Sequence, residues 1–115
     1  MEVTCGNIMI DKIMEEVIDV SKKAFGDDLC QIWLFGSQVT NDIDEDSDID
    51  VMVVISYPHE YMKIGYEVYS QFKLDILTKY NEILSILSVG KDYFNASTSG
   101  LYEKIRNRGI LYYEQ

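Results

Sequence analysis

The stretch Gln31-Ile-Trp-Leu-Phe-Gly-Ser-Gln-Val-Thr-Asn-Asp-Ile-Asp-Glu-Asp-Ser-Asp-Ile-Asp-Val-Met-Val-Val-Ile55 decides the fold. Its first part, Gln31 to Phe35, is short, aromatic and branched and stops at Gly36-Ser37, so length and composition favour a buried strand over a helix. A polar segment from Gln38 to Ser47 follows. Asp48 to Ile55 is then the densest β-branched run in the chain, and Pro58 closes it.

Along the second strand successive side chains point to opposite faces. Asp48 and Asp50 therefore project together while Ile49 and Val51 turn towards a core. Two carboxylates held side by side repel each other unless one keeps its proton or a cation lies between them. Hard oxygen ligands at that spacing suit Mg²⁺ or Mn²⁺. A bare Asp-x-Asp pair is also what a solvated acidic turn looks like, so its neighbours decide the reading. Upstream, Gly36 lets backbone approach a phosphate closely and the Ser37 hydroxyl can donate to it. Downstream, Asp75 interrupts the apolar run Lys73-Leu-Asp-Ile-Leu-Thr78, read as a third strand, where a lone carboxylate needs a partner or a metal. Three carboxylates and a phosphate-friendly turn are expected to converge on one sheet edge.

Outward from this block, Ile10, Ile13, Met14, Val17, Val20 and Ala24 recur at threes and fours, predicting an amphipathic helix over 7–25 that Gly26 ends. Tyr61, Ile64, Val68 and Phe72 predict a second helix over 60–71, in spite of Gly65. Glu82 to Val89 reads as a short helix, Leu101 to Asn107 as another, and Ile110 to Tyr113 as a last strand. Alternating helices and strands imply an α/β (α+β) fold, a small mixed sheet with helices packed on it, forming a single domain over residues 1–115.

The net charge is −10, from 20 acidic and 10 basic side chains, and six of the acids lie in positions 41–50. Without that decade the charge is −4, so the acidity is largely local. A negative surface repels phosphate backbones and disfavours direct nucleic-acid binding through a basic patch, while leaving room for binding through metal ions. Cys5 and Cys30 form no CxxC pair and suggest neither a zinc site nor a redox motif. No apolar run is long enough to span a membrane and the first residues lack a basic signal region, so the expected location is the cytoplasm.

The residues quoted above resemble the nucleotidyltransferase fold of the DNA polymerase β superfamily in its minimal form. Leu34-Phe-Gly-Ser37, ten intervening residues, and Asp48-Ile-Asp50 followed by Val51-Met-Val-Val-Ile55 are similar to that family's GS-x10-DxD signature. Ile105-Arg-Asn-Arg-Gly-Ile-Leu-Tyr-Tyr113 is similar to its terminal helix-glycine-strand. Many relatives carry a basic residue directly after Gly-Ser, whereas here the run is Gln38-Val-Thr-Asn41. The resemblance implies transfer of a nucleoside monophosphate from an NTP, with ATP as the usual donor, to a hydroxyl. It implies that Asp48, Asp50 and Asp75 hold Mg²⁺ or Mn²⁺, with Asp75 as candidate base, and that Gly36 and Ser37 position the triphosphate. For minimal members it implies an antitoxin in hetero-oligomeric pairing with a helical HEPN-type toxin whose tyrosine receives AMP. Two alternatives stay open: an antitoxin that neutralises its partner by steric contact alone, and a small-molecule nucleotidyltransferase of the aminoglycoside type.

Other residues carry plainer readings. His59 reads as a surface or capping residue, Trp33 as core, and Tyr61, Tyr112 and Tyr113 as packing. Lys104 and Arg108 stand one helical turn apart and read as a solvated face that could also neutralise triphosphate charge.

Overall fold

The computed structural model describes residues 5–36, 48–56 and 58–115, with only the backbone described for 58–64. Helix α1 spans Ile8–Phe25, and strands β1 (Leu29–Phe35) and β2 (Ile49–Ile55) follow. Helix α2 runs over Pro58–Tyr80, then come β3 (Leu84–Gly90), α3 (Lys91–Ala96), α4 (Gly100–Arg108) and β4 (Ile110–Glu114). The strands form one sheet in the order β3-β2-β1-β4. β1 is antiparallel to both β2 and β4, while β2 and β3 are parallel and joined through α2, so the sheet is mixed as expected.

α1 begins where Asn7 caps it, its side chain accepting from the Ile10 amide at 3.1 Å, and ends at Gly26, whose φ of 56° suits glycine. Its apolar stripe, Ile10, Ile13, Met14 and Val17, is buried against the sheet. β2 is central and apolar on both faces. Ile49, Val51, Val53 and Ile55 join the α1 and α2 side, whereas Met52 and Val54 pack with Phe94 of α3 and Ile105 of α4 on the other. Two bonds tie the last strand and the N-terminal segment to α1, since Asp11 accepts from the Tyr112 hydroxyl at 2.5 Å and from the Cys5 amide at 3.1 Å. Burial, with the hydrogen bond to Asp11 adding to it, pushes the Tyr112 phenol well above the ordinary range.

Two expectations are corrected. The segment 73–78 is not a strand but the last third of α2. Tyr69, Phe72, Ile76 and Tyr80 recur at helical spacing and turn towards the core, while Leu74, which suggested alternation, is 58% exposed. Conversely, Leu84–Gly90 is not a helix but the parallel edge strand, where pairing with β2 satisfies its backbone. Short apolar runs fit either period, and here the partner strand decides. Helix α3 had no counterpart among the predicted elements, and its anchor is the fully buried Phe94, 5.9 Å from the half-buried Trp33 ring. The side chains of Tyr61 and His59 lie outside the described residues.

Candidate active site

Antiparallel pairing of β1 with β2 brings the end of the first strand to the start of the second, and Phe35 stands opposite Asp50. Gly36 follows at φ 80°, a left-handed conformation that L side chains rarely adopt. A Cβ placed on Gly36 would lie 2.4 Å from Asp50 Oδ2. The glycine is thus required twice, by its backbone angle and by the carboxylate packed against it. Ser37 lies outside the described residues.

Asp48 is exposed just before β2, and Asp50 is half-buried as its second residue. Burial raises the Asp50 pKa above its ordinary value, and the nearby negative charge of Asp48 raises it further. The expected pair of interacting carboxylates is present. Such a pair is a donor set that fits Mg²⁺, which is held by one or two carboxylates and completes its shell with water and phosphate oxygens.

The third carboxylate is not brought to them. Asp75 sits on the exposed side of α2, where it accepts from Gln71 Nε2 at 2.9 Å, an ordinary i, i+4 pair of a helix surface. Among the described residues, no three His, Cys, Asp or Glu side chains gather as a metal-holding group. The residue beside Asp50 on the neighbouring parallel strand is Ser85. The expected set of Asp48, Asp50 and Asp75 is therefore reduced to its first two members, because the segment expected to carry the third is helical.

Next to Gly36 opens a cavity of about 270 Å³ lined by Phe35, Gly36, Leu101, Lys104, Ile105, Arg108 and Gly109. Sequence reasoning placed Lys104 and Arg108 on one helical face but not beside Gly36. The signal was the terminal helix-glycine-strand, which turns the chain back so that β4 pairs with β1 and α4 lies across the sheet end. Gly109 makes that turn tight: a Cβ there would meet Ile105 O at 2.6 Å and Leu34 O at 3.2 Å.

A larger cavity of about 550 Å³ lies at the other end of β2, lined by Ile55, Tyr66, Tyr69, Lys73 and residues 86–90 of β3. Its buried phenol, Tyr69, is bonded to Ser21 at 2.6 Å, and burial pushes its pKa up to about 12. Among the described residues its lining holds no carboxylate, whereas the Gly36 end has Asp48 and Asp50.

Comparison with known proteins bears on the family. The profile of the nucleotidyltransferase domain family matches residues 14–104, a span that includes Gly36, Asp48 and Asp50. Over 46 residues the chain is 41% identical to the "Putative protein adenylyltransferase" of Methanocaldococcus jannaschii, a match covering 40% of this chain and 31% of that protein. Among solved structures, the fold is similar to that of a "putative nucleotidyltransferase from Sulfolobus solfataricus", with a TM-score of 0.61 at 16% identity over 96% of this chain and 90% of the other. It is also similar to a chain in a crystal structure of a toxin-antitoxin with AMP-PNP, with a TM-score of 0.59 at 14% identity over 88% of this chain and 73% of the other. A third, from a mutant of the toxin-antitoxin MntA-HpeT, gives a TM-score of 0.56 at 12% identity over 88% and 72% of the two chains. At these identities the structural likeness speaks for the fold, and the profile match speaks for descent. A matching profile over most of its length, borne by a four-stranded mixed sheet, establishes that this chain belongs to the nucleotidyltransferase domain family.

Proposed function

We propose that this protein transfers AMP from ATP to a hydroxyl, that the acceptor is a tyrosine of a HEPN-type toxin, and that the protein thereby acts as an antitoxin. The observation that carries the reading is Asp50 packed against a side-chain-free Gly36, with Asp48 adjacent. This leaves two carboxylates at a turn open to a phosphate. The name of the archaeal relative and the toxin-antitoxin setting of two fold relatives support the choice of acceptor class.

In this mechanism Asp48 and Asp50 would hold the divalent cation, Mg²⁺ or Mn²⁺. The cation supplies charge neutralisation for the triphosphate and polarisation at the reacting phosphoryl group. The missing side chain of Gly36 makes room for the Asp50 carboxylate, and Ser37, the next residue, is proposed to donate to a phosphate oxygen of the donor. The acceptor oxygen bonds to the α-phosphorus as the bond to the departing pyrophosphate breaks, and the hydroxyl proton passes to solvent water. The chain's contribution is chiefly positioning and electrostatics, as is general for phosphoryl and nucleotidyl transfer.

A second reading draws on Ser85, which stands beside Asp50 on β3 and adds no carboxylate to the pair. On that reading the protein neutralises its partner by steric contact without transfer. Incubating the protein and its co-purifying partner with Mg²⁺ and ATP separates the two. A partner mass increased by one AMP supports transfer, and neutralisation with no mass change and no need of ATP supports the steric reading. We further propose that residues 1–115 act as one domain in the cytoplasm. Among the described residues no helix is long and apolar enough to cross a membrane.

A further inference from the structure

α4 carries three cations, and they differ in how their charge is met. Arg106 is fixed, donating to the Phe94 and Ser97 carbonyls, the latter at 2.8 Å, with its guanidinium 5.9 Å from the Phe94 ring centroid. It locks α3 to α4, and its guanidinium is turned to those carbonyls. Lys104 and Arg108 are exposed, and among the described residues neither side chain takes part in an ion pair or a hydrogen bond. Both line the 270 Å³ cavity beside Gly36. The same glycine touches Asp50 on one side and this cavity on the other.

The cavity therefore has an apolar lining from Phe35, Leu101 and Ile105, two cations without an ionic partner among the described residues, and the carboxylate pair next to Gly36. A ligand suited to it carries several negative charges, shares a metal with the carboxylates and offers oxygens to cations. A polyphosphate does all three. Arginine offers a planar fork and lysine a movable point charge, and both bind phosphate oxygens by charge-assisted hydrogen bonds. The segment Gln38-Val-Thr-Asn41 that follows the Gly36 turn contributes no cation of its own.

We infer that Lys104 and Arg108 bind the polyphosphate of the nucleotide donor, supplying from α4 the positive charge of the site. The inference rests on the nucleotidyl-transfer reading above and assigns two residues to its donor subsite. It also gives the tight turn at Gly109 a purpose, because that turn sets the end of α4 against β1.

The test is calorimetric titration, with Mg²⁺ present, of ATP, inorganic tripolyphosphate and adenosine into the wild-type chain, K104Q/R108Q and the charge-keeping K104R/R108K. Circular dichroism melts confirm that the variants are folded. K104Q/R108Q is expected to weaken ATP and tripolyphosphate alike, by about 10- to 100-fold, and to leave adenosine unchanged, while K104R/R108K stays within about threefold of wild type. Equal affinities of wild type and K104Q/R108Q for ATP overturn the inference and leave the transfer reading standing. Weakening of adenosine to the same degree as ATP also overturns it, because the effect would then be one of cavity shape. A wild-type chain that binds neither ATP nor tripolyphosphate overturns both.

Discussion

Gly36 and Asp50 are packed so closely that the smallest side chain on the glycine would stand 2.4 Å from a carboxylate oxygen of the aspartate. This contact, at the ends of two antiparallel strands, fixes where the second carboxylate of the pair points. It also explains why the turn after β1 must lack a side chain.

Gly36→Ala should therefore be costly in two ways. The left-handed φ and the overlap with Asp50 together predict a loss of about 1–3 kcal/mol in stability, read by urea denaturation. Transfer should fall further than stability, since relief of the overlap displaces Asp50. A variant with wild-type stability and activity would show that the contact does not constrain the site.

The carboxylate pair should respond to divalent ions. Mutual repulsion and burial work against Asp50 in the metal-free chain, and a cation bound between the carboxylates removes that penalty. Mg²⁺ should raise the melting temperature of the wild-type chain, by an amount growing with the logarithm of its concentration once binding saturates. Asp48→Asn with Asp50→Asn should abolish that rise in differential scanning fluorimetry.

Asp75 should be dispensable. It lies on the exposed side of α2, bonded to Gln71. Asp75→Asn is expected to keep transfer within about threefold of wild type, as surface substitutions far from a site do. A hundredfold loss would mean that α2 rearranges in the working enzyme.

Much of this was legible in the chain, for identifiable reasons. β1 and β2 are central strands with continuous apolar runs, and α1 has a clean 3.6-residue stripe with caps, so each declares its period over its whole length. Gly36, Asp48 and Asp50 follow because they are fixed by position relative to those strands. The region 73–90 was misread because its cues are short. Leu74-Asp-Ile76 mimics alternation within a helix, and Leu84–Gly90 becomes a strand only through pairing with β2, which is a tertiary fact. Lys104 and Arg108 were visible as a pair, but their nearness to Gly36 depends on how β4 folds back along β1.

The packing of α1 against α2 carries a pH dependence of its own. Glu16 accepts from Lys79 at 3.0 Å and from the Tyr80 hydroxyl. Burial alone would raise its pKa, but the hydrogen bonds from Tyr80 and Lys79 and the lysine charge outweigh it, so the carboxyl sits below its ordinary 4.5. A depressed folded pKa means that the contribution is present above the unfolded value and is lost as pH falls through the folded one. The melting temperature of the wild type should exceed that of Glu16→Gln at neutral pH, and the gap should close as pH drops below 4.5. The pair is largely solvent-exposed, so high salt should also narrow the gap.

The central claim, that Asp48 and Asp50 serve nucleotidyl transfer, is tested most directly with ATP labelled at the α-phosphate. The label is followed onto the co-purified partner in the presence of Mg²⁺, for the wild-type chain and for D48N/D50N. The account predicts labelled partner with the wild type and a reduction on the order of 100- to 1,000-fold with the double variant, both proteins showing the same circular dichroism spectrum. Equal labelling by the two proteins, or none by the wild type, would contradict it.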